Sequence, residues 1–96
     1  SLCRLGVEMT ERLERLARDD AREWKGLRLP ARLRLARAVR CLIRTGQLNR
    51  RDLVQIGEIS EAQAAMDLRE IRARAPWAME YDLVAKCYRV KGASNV

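Results

Sequence analysis

The chain contains no histidine and no phenylalanine, and its three cysteines, Cys3, Cys41 and Cys87, stand far apart. Without histidine the usual general base is missing, and so is the Cys/His spacing of a zinc finger; no C-x-x-C pair replaces it. No glycine-rich phosphate loop, nucleophile elbow or catalytic carboxylate pair is present, and Asp19–Asp20 reads as a solvent-facing surface pair. An enzyme is therefore not expected, and neither is a metal or a cofactor. Long apolar runs are also lacking, so no membrane span is expected, and no signal-peptide pattern precedes the first acidic helix. Scattered, unpaired cysteines suit a reducing compartment, where they act as small apolar side chains. The expectation is a soluble, cytoplasmic protein.

What is present is a leucine- and arginine-rich chain of 96 residues, 48% of them hydrophobic, which is enough for one compact core. Leu, Ile, Val and Ala must fill that core, and leucine and arginine both favour helix. The formal net charge of +7 is unevenly spread. Eight arginines and no acidic residue lie between Arg28 and Arg51, whereas Glu8–Lys25 and Asp52–Glu80 are each slightly acidic. One face should thus carry a positive field, and nucleic acid is the default partner of such a face. The plain alternative is a solvated helix surface.

Periodicity divides the chain into helices followed by a hairpin. Residues 1–7 read as a flexible arm. A first helix is expected from about Met9 to Lys25, with Leu13, Leu16, Ala17, Ala21 and Trp24 on its packed side, Thr10 as N-cap and Gly26 as its end. A second runs from Pro30 in its first turn to about Thr45, closed by a left-handed Gly46 and buried through Leu35, Ala36, Val39, Leu42 and Ile43. Arg34, Arg37, Arg40 and Arg44 recur on another of its faces. Gln47–Leu48 allows one rung of sheet at most. Asn49 caps a third helix to about Ile56; a tight turn through Gly57, Glu58 and Ile59 leads to Ser60, with Gln63 in capping-box register, and a fourth helix to about Arg74. Its inward positions are Ala64, Leu68 and Ile71. The runs 79–82 and 87–90 then form a hairpin with its tip at Leu83–Lys86, and 91–96 read as a tail.

Two short helices, a tight turn and a hairpin define the expected fold class: mainly α with a small β-hairpin, a winged helix-turn-helix over 8–90 with an additional N-terminal helix. The recognition helix would span about 60–74 and the wing about 79–90. In that arrangement the third helix braces the fourth, whose capped N-terminus enters the major groove, and the wing lies on the neighbouring groove or backbone.

The stretch Leu48-Asn49-Arg50-Arg51-Asp52-Leu53-Val54, then Ile59-Ser60-Glu61-Ala62-Gln63-Ala64-Ala65-Met66-Asp67-Leu68, resembles the N-terminal domain of bacterial WYL-domain regulators. Ala75-Pro76, Glu80-Tyr81-Asp82 and Lys86-Cys87-Tyr88-Arg89-Val90 match the ending of the same domain. The nearest likeness is to repressors of phage-defence loci, with DeoR-type domains more distant. The resemblance implies a homodimeric transcriptional regulator, a repressor or activator, on a palindromic or repeated duplex site. By position it makes Glu61, Ala62, Gln63, Met66 and Arg69 the reading face: Gln63 toward adenine, Arg69 toward phosphate or guanine, Met66 or Ala62 toward a thymine methyl. Arg50, Arg51 and Ser60 would hold phosphates, with Lys86 doing so from the wing. Gln63 has an alternative role, completing the capping box.

Two departures matter. The glycine that usually precedes the Ile-Ser pair is Glu58 here, which would cost about 1 kcal/mol if that residue must be left-handed. Ala65 and Met66 stand where basic or hydroxylated residues are common, and Glu61 adds a negative charge. The WYL domain itself does not follow in this sequence, so the chain reads either as one part of a longer regulator or as a standalone protein. The alternative function is a winged-helix protein-interaction module, docking on a transcription factor or a phage or host protein. Its contacts would come from the second-helix stripe, for which Arg37, Arg40 and Arg44 serve equally as phosphate contacts. RNA ranks third, for want of exposed aromatic platforms.

Overall fold

A computed structural model describes residues 7–91. Of the expected arm (1–7) and tail (91–96), only Val7, which opens the first helix, and Lys91 fall within that range; the rest of both, with Cys3, lies outside the described residues. Among the described residues are four α-helices, α1 (Val7–Ala17), α2 (Leu29–Thr45), α3 (Arg50–Gly57) and α4 (Glu61–Arg74), and three short strands, β1 (Gln47–Leu48), β2 (Met79–Asp82) and β3 (Cys87–Val90). The protein is mainly helical with a small antiparallel sheet in the order β1-β3-β2. No described helix is long and apolar enough to cross a membrane.

The first helix departs from expectation. It begins by Val7, so Thr10 lies inside it and not at its cap. It also stops at Ala17 instead of running to Lys25. Asp19 sits at φ 58°, and the amides of Asp19 and Asp20 donate back to the carbonyls of Leu16 and Arg15. That is a left-handed C-terminal closure with aspartate where glycine or asparagine is usual. Asp19 is not simply solvated, because it also faces Arg32 at 3.6 Å. A single 3-10 turn, Arg22–Trp24, then folds Trp24 back so that its indole Nε1 donates to the Leu16 carbonyl at 2.9 Å. The expected apolar stripe is still buried, with Leu13, Leu16 and Trp24 each 0–1% exposed, but a break in the helix delivers it.

The remaining helices follow the sequence closely. Pro30 stands in the first turn of α2 and Gly46 closes it at φ 81°. Leu35, Ala36, Val39 and Leu42 are buried as expected, with Ala38 and Cys41 beside them and Ile43 packed at the margin. Asn49 caps α3 through a reciprocal pair: its side chain accepts from the Asp52 amide at 2.9 Å, and Asp52 accepts from the Asn49 amide at 3.0 Å. Ser60 caps α4 by accepting from the Gln63 amide at 3.1 Å, but the Gln63 side chain turns to Asp67 and leaves the expected capping box half-made.

The hairpin pairs Met79 with Val90 and Asp82 with Cys87. Gln47–Leu48 does more than a single rung suggests. It pairs with Arg89 and Tyr88, making β3 the central strand and tying the sheet to the end of α2. Leu48, Met79 and Val90 face the shared core with Leu53, Ala64, Leu68 and Ile71.

Glu58 takes φ 51° and ψ 47° at the end of α3, in the left-handed region that a β-carbon disfavours. Replacing Glu58 by Gly should therefore raise unfolding free energy by roughly 0.5–1 kcal/mol. Denaturant titration should show this as a higher midpoint with an unchanged slope.

Candidate nucleic-acid interface

The start of α3 runs against the usual charge preference of a helix N-terminus. Arg50 and Arg51 are the first two residues of α3, where the helix dipole disfavours a cation by about 0.3–1 kcal/mol each. Asp52 and the Asn49 cap offset this and hold the helix end in place. Both arginines are exposed and have no ion-pair partner among the described residues.

They form one wall of an open cleft of about 780 Å³, with α4 as its floor and the β2–β3 hairpin as its far wall. The floor presents Glu61, Ala65, Arg69 and Arg72, which a 3.6-residue repeat places on one arc of the helix. The hairpin contributes Lys86, Tyr81 and Tyr88. Arg50, Arg51, Arg69, Arg72 and Lys86 thus face a single carboxylate, Glu61, and none of the five cations is paired within the described residues. Other arginines are neutralised nearby: Arg34 by Asp67, Arg74 by Glu70 and Arg89 by Asp82.

Of the residues expected to contact DNA, the structure brings Arg50, Arg51, Glu61, Arg69 and Lys86 together in this cleft. Ser60 and Ala62 are exposed at the start of α4, and Met66 is 58% exposed on the same helix. Gln63 sits apart. It lies with Met66 on the side of α4 toward α2, its amide nitrogen donating to Asp67 Oδ1 at 2.9 Å. That bond orients the amide, since the carboxylate can only accept. Arg37, Arg40 and Arg44 are exposed on the outer arc of α2 with Leu29 and Leu33, and none lines the cleft. Arg34 leaves the expected stripe altogether, because it donates to both oxygens of the buried Asp67 at 3.0 and 3.3 Å.

One cationic and two aromatic residues of the cleft were not among the expected contacts: Arg72, Tyr81 and Tyr88. Arg72 could have been found, being three residues beyond Arg69 on the same helix face. Tyr81 and Tyr88 could also have been found, because a four-residue tip between 79–82 and 87–90 sets them opposite each other: they are directly paired across β2 and β3, edge to face with centroids 5.0 Å apart. Arg72 lies 5.5 Å from the centre of the Tyr88 ring, a cation–π distance. Tyr81 is 48% exposed, so an aromatic surface is present after all.

The hairpin tip is held by Asp82. Its Oδ1 accepts from the amides of Val84 at 2.9 Å and Ala85 at 3.0 Å, and its carbonyl from Lys86 at 2.7 Å. Lys86 adopts φ 57°, which closes the loop and carries its side chain to the cleft. Arg89 Nε stands 3.1 Å from Asp82 Oδ2. The Ala85 amide above all holds the Asp82 carboxyl below its ordinary 3.8; desolvation opposes this, and the Val84 amide and Arg89 add to the lowering. Comparison with family models, curated proteins and solved structures finds no match to this chain.

A carboxyl whose titration is lowered by folding stabilises the folded form above its unfolded pKa, and that contribution is lost as pH falls through the folded value. The tip should therefore keep its structure at neutral pH and loosen below pH 3.8. The Val84 and Ala85 amide proton shifts should report this by NMR. Asp82→Ala should give the loosened shifts already at pH 7, whereas Asp82→Asn, which keeps an acceptor oxygen, should retain most of the turn.

Proposed function

We propose that the chain is a winged helix-turn-helix domain that binds double-stranded DNA, with α4 in the major groove, α3 bracing it and the β2–β3 hairpin as the wing. The observation that carries this reading is the cleft in which five unpaired cations from three separate elements face one carboxylate. A fold gains nothing internally from gathering unpaired cations, and a phosphate backbone is the partner that rewards it. The exposed arc of α4 is mixed in character, with Ala62 and Met66 offering apolar contact beside Arg69, as base edges and thymine methyls require. The resemblance to WYL-domain regulators extends the proposal to transcriptional control, with a homodimer on repeated half-sites acting as a repressor.

A second reading has its own support on the outer arc of α2, where exposed Leu29 and Leu33 lead into unpaired Arg37, Arg40 and Arg44. A partner protein with an acidic amphipathic surface would suit that face, and the module would then be a docking domain.

Selection from a randomised duplex pool separates the two. Enrichment of a defined site supports DNA reading; failure of any duplex to enrich at moderate salt favours docking. With five phosphate contacts the affinity should fall with salt at a log–log slope of roughly −4 to −5, and Arg50→Ala, Arg51→Ala or Arg72→Ala should each reduce it by about one. Gln63→Ala should change base preference at one position more than overall affinity, read by repeating the selection with the variant.

A further inference from the structure

We propose that Leu83 and Val84, at the tip of the β2–β3 hairpin, form an apolar wedge that enters the minor groove, opens one base step and bends the duplex. The proposal rests on the DNA-binding reading above and assigns a role to the part of the hairpin that reading leaves unused.

Leu83 is 82% exposed and Val84 is 94% exposed, the most open of the large apolar side chains among the described residues. Neither contributes to the core. An isolated exposed leucine would need no explanation, but here two adjacent aliphatic residues sit at the apex of a loop that is built to be rigid. Asp82 fixes both following amides, the Lys86 amide closes the loop onto the Asp82 carbonyl, and Arg89 braces the carboxylate from the neighbouring strand. A loop that served only to join two strands would not need a brace from outside the turn. A wedge does need one, because unstacking a base step opposes insertion and a soft tip would fold aside.

Position selects the occupant. Lys86 belongs to the same loop and lines the basic cleft, and the paired Tyr81 and Tyr88 connect cleft to tip along one face of the hairpin. The tip lies one strand pair, Asp82 and Cys87, beyond those tyrosines, at the end of the hairpin. The surface is therefore continuous: cations for phosphates, then an apolar apex narrow enough for a groove about 6 Å wide that excludes a helix. An apolar pocket on a partner protein would have to take Lys86 out of water along with the two aliphatic side chains. A phosphate flanking the opened step accepts that cation instead. Pyrimidine–purine steps unstack most readily, so the bound site should carry TA or CA where the hairpin reaches the duplex.

The test uses the described protein with a duplex enriched from the random pool, labelled at its ends for energy transfer, with binding read by anisotropy in the same titration. The wild-type chain should bend this duplex by roughly 20–90°. Leu83→Ser combined with Val84→Ser should leave it nearly straight and weaken binding about tenfold, with the salt slope unchanged. Lys86→Ala should keep the bend and reduce the salt slope by about one. Replacing the TA or CA step by an A-tract should reduce affinity for the wild type and not for the double variant. The wedge is overturned if the double variant bends DNA as the wild type does, or if the wild type binds without bending; either result leaves DNA binding itself intact. It is also overturned if sedimentation shows that the double substitution turns a dimer into a monomer while the bend persists, which would make the tip a contact between copies. Absence of salt-sensitive binding to any duplex overturns both readings together.

Discussion

Asp67 is the one charged side chain buried among the described residues, and the placement of α4 depends on how it is satisfied. Its carboxylate accepts from Arg34 on α2 through two nitrogens and from Gln63 one turn earlier on α4. Removing such a group from water is costly, and the cost is met only when α2 and α4 hold one relative position. A purely apolar contact between the helices would allow them to slide. The forked geometry of guanidinium on carboxylate does not. A β-carbon at Gly57, the last residue of α3, would come to 3.6 Å from the Arg34 Cδ, so a larger residue there would crowd this side chain. The register of α4, and with it the arc that carries Glu61, Ala65, Arg69 and Arg72, follows from this one interaction.

A second set of contacts secures the other end of α4 to the N-terminal part of the chain. Arg74 donates to the carbonyls of Glu23 and Lys25, at 3.1 and 2.8 Å. The Trp77 indole donates to the Glu23 carboxylate, and the Arg12 guanidinium stacks 3.9 Å above the Trp77 ring. The first helix is thus no loose addition to the domain. It buries Leu13 and Leu16 beneath α2 and, through Arg12 and the 3-10 turn that follows it, braces the C-terminal turn of α4 and the approach to the hairpin. The arginines divide by environment: those that hold elements together find carboxylates or carbonyls, and those in the cleft and on the outer arc of α2 find none.

Local signals were readable where a single residue type has one strong physical consequence. Asn49 and Ser60 mark helix starts because their side chains accept from backbone amides. Gly46 marks an end because only glycine takes φ 81° without strain. Asp19 and Glu58 take a left-handed conformation at two other helix ends; Glu58 is signalled only by standing where the resembled domain has glycine, and Asp19 not at all. The Asp19 closure is why a continuous Met9–Lys25 helix was expected where α1 stops at Ala17. The period of the apolar residues had correctly grouped Leu13, Leu16 and Trp24 as a packed set, but periodicity records which residues are buried and not whether the backbone runs straight between them.

The sequence by itself determined the helical content, the hairpin at 79–90, most of the apolar core and the concentration of positive charge, because each depends on near neighbours and on composition. Winged helix-turn-helix identity and duplex binding rest on that pattern together with the resemblance, and they stand as proposals. Only the tertiary structure decided which cations remain free, because pairing joins residues such as Arg34 and Asp67 that no sequence period relates. It also decided that Gln47–Leu48 completes a sheet and that Arg50, Arg72 and Lys86 share one cleft. Those outcomes depend on strand register and on the angle between helices, which are fixed by contacts distant in the chain.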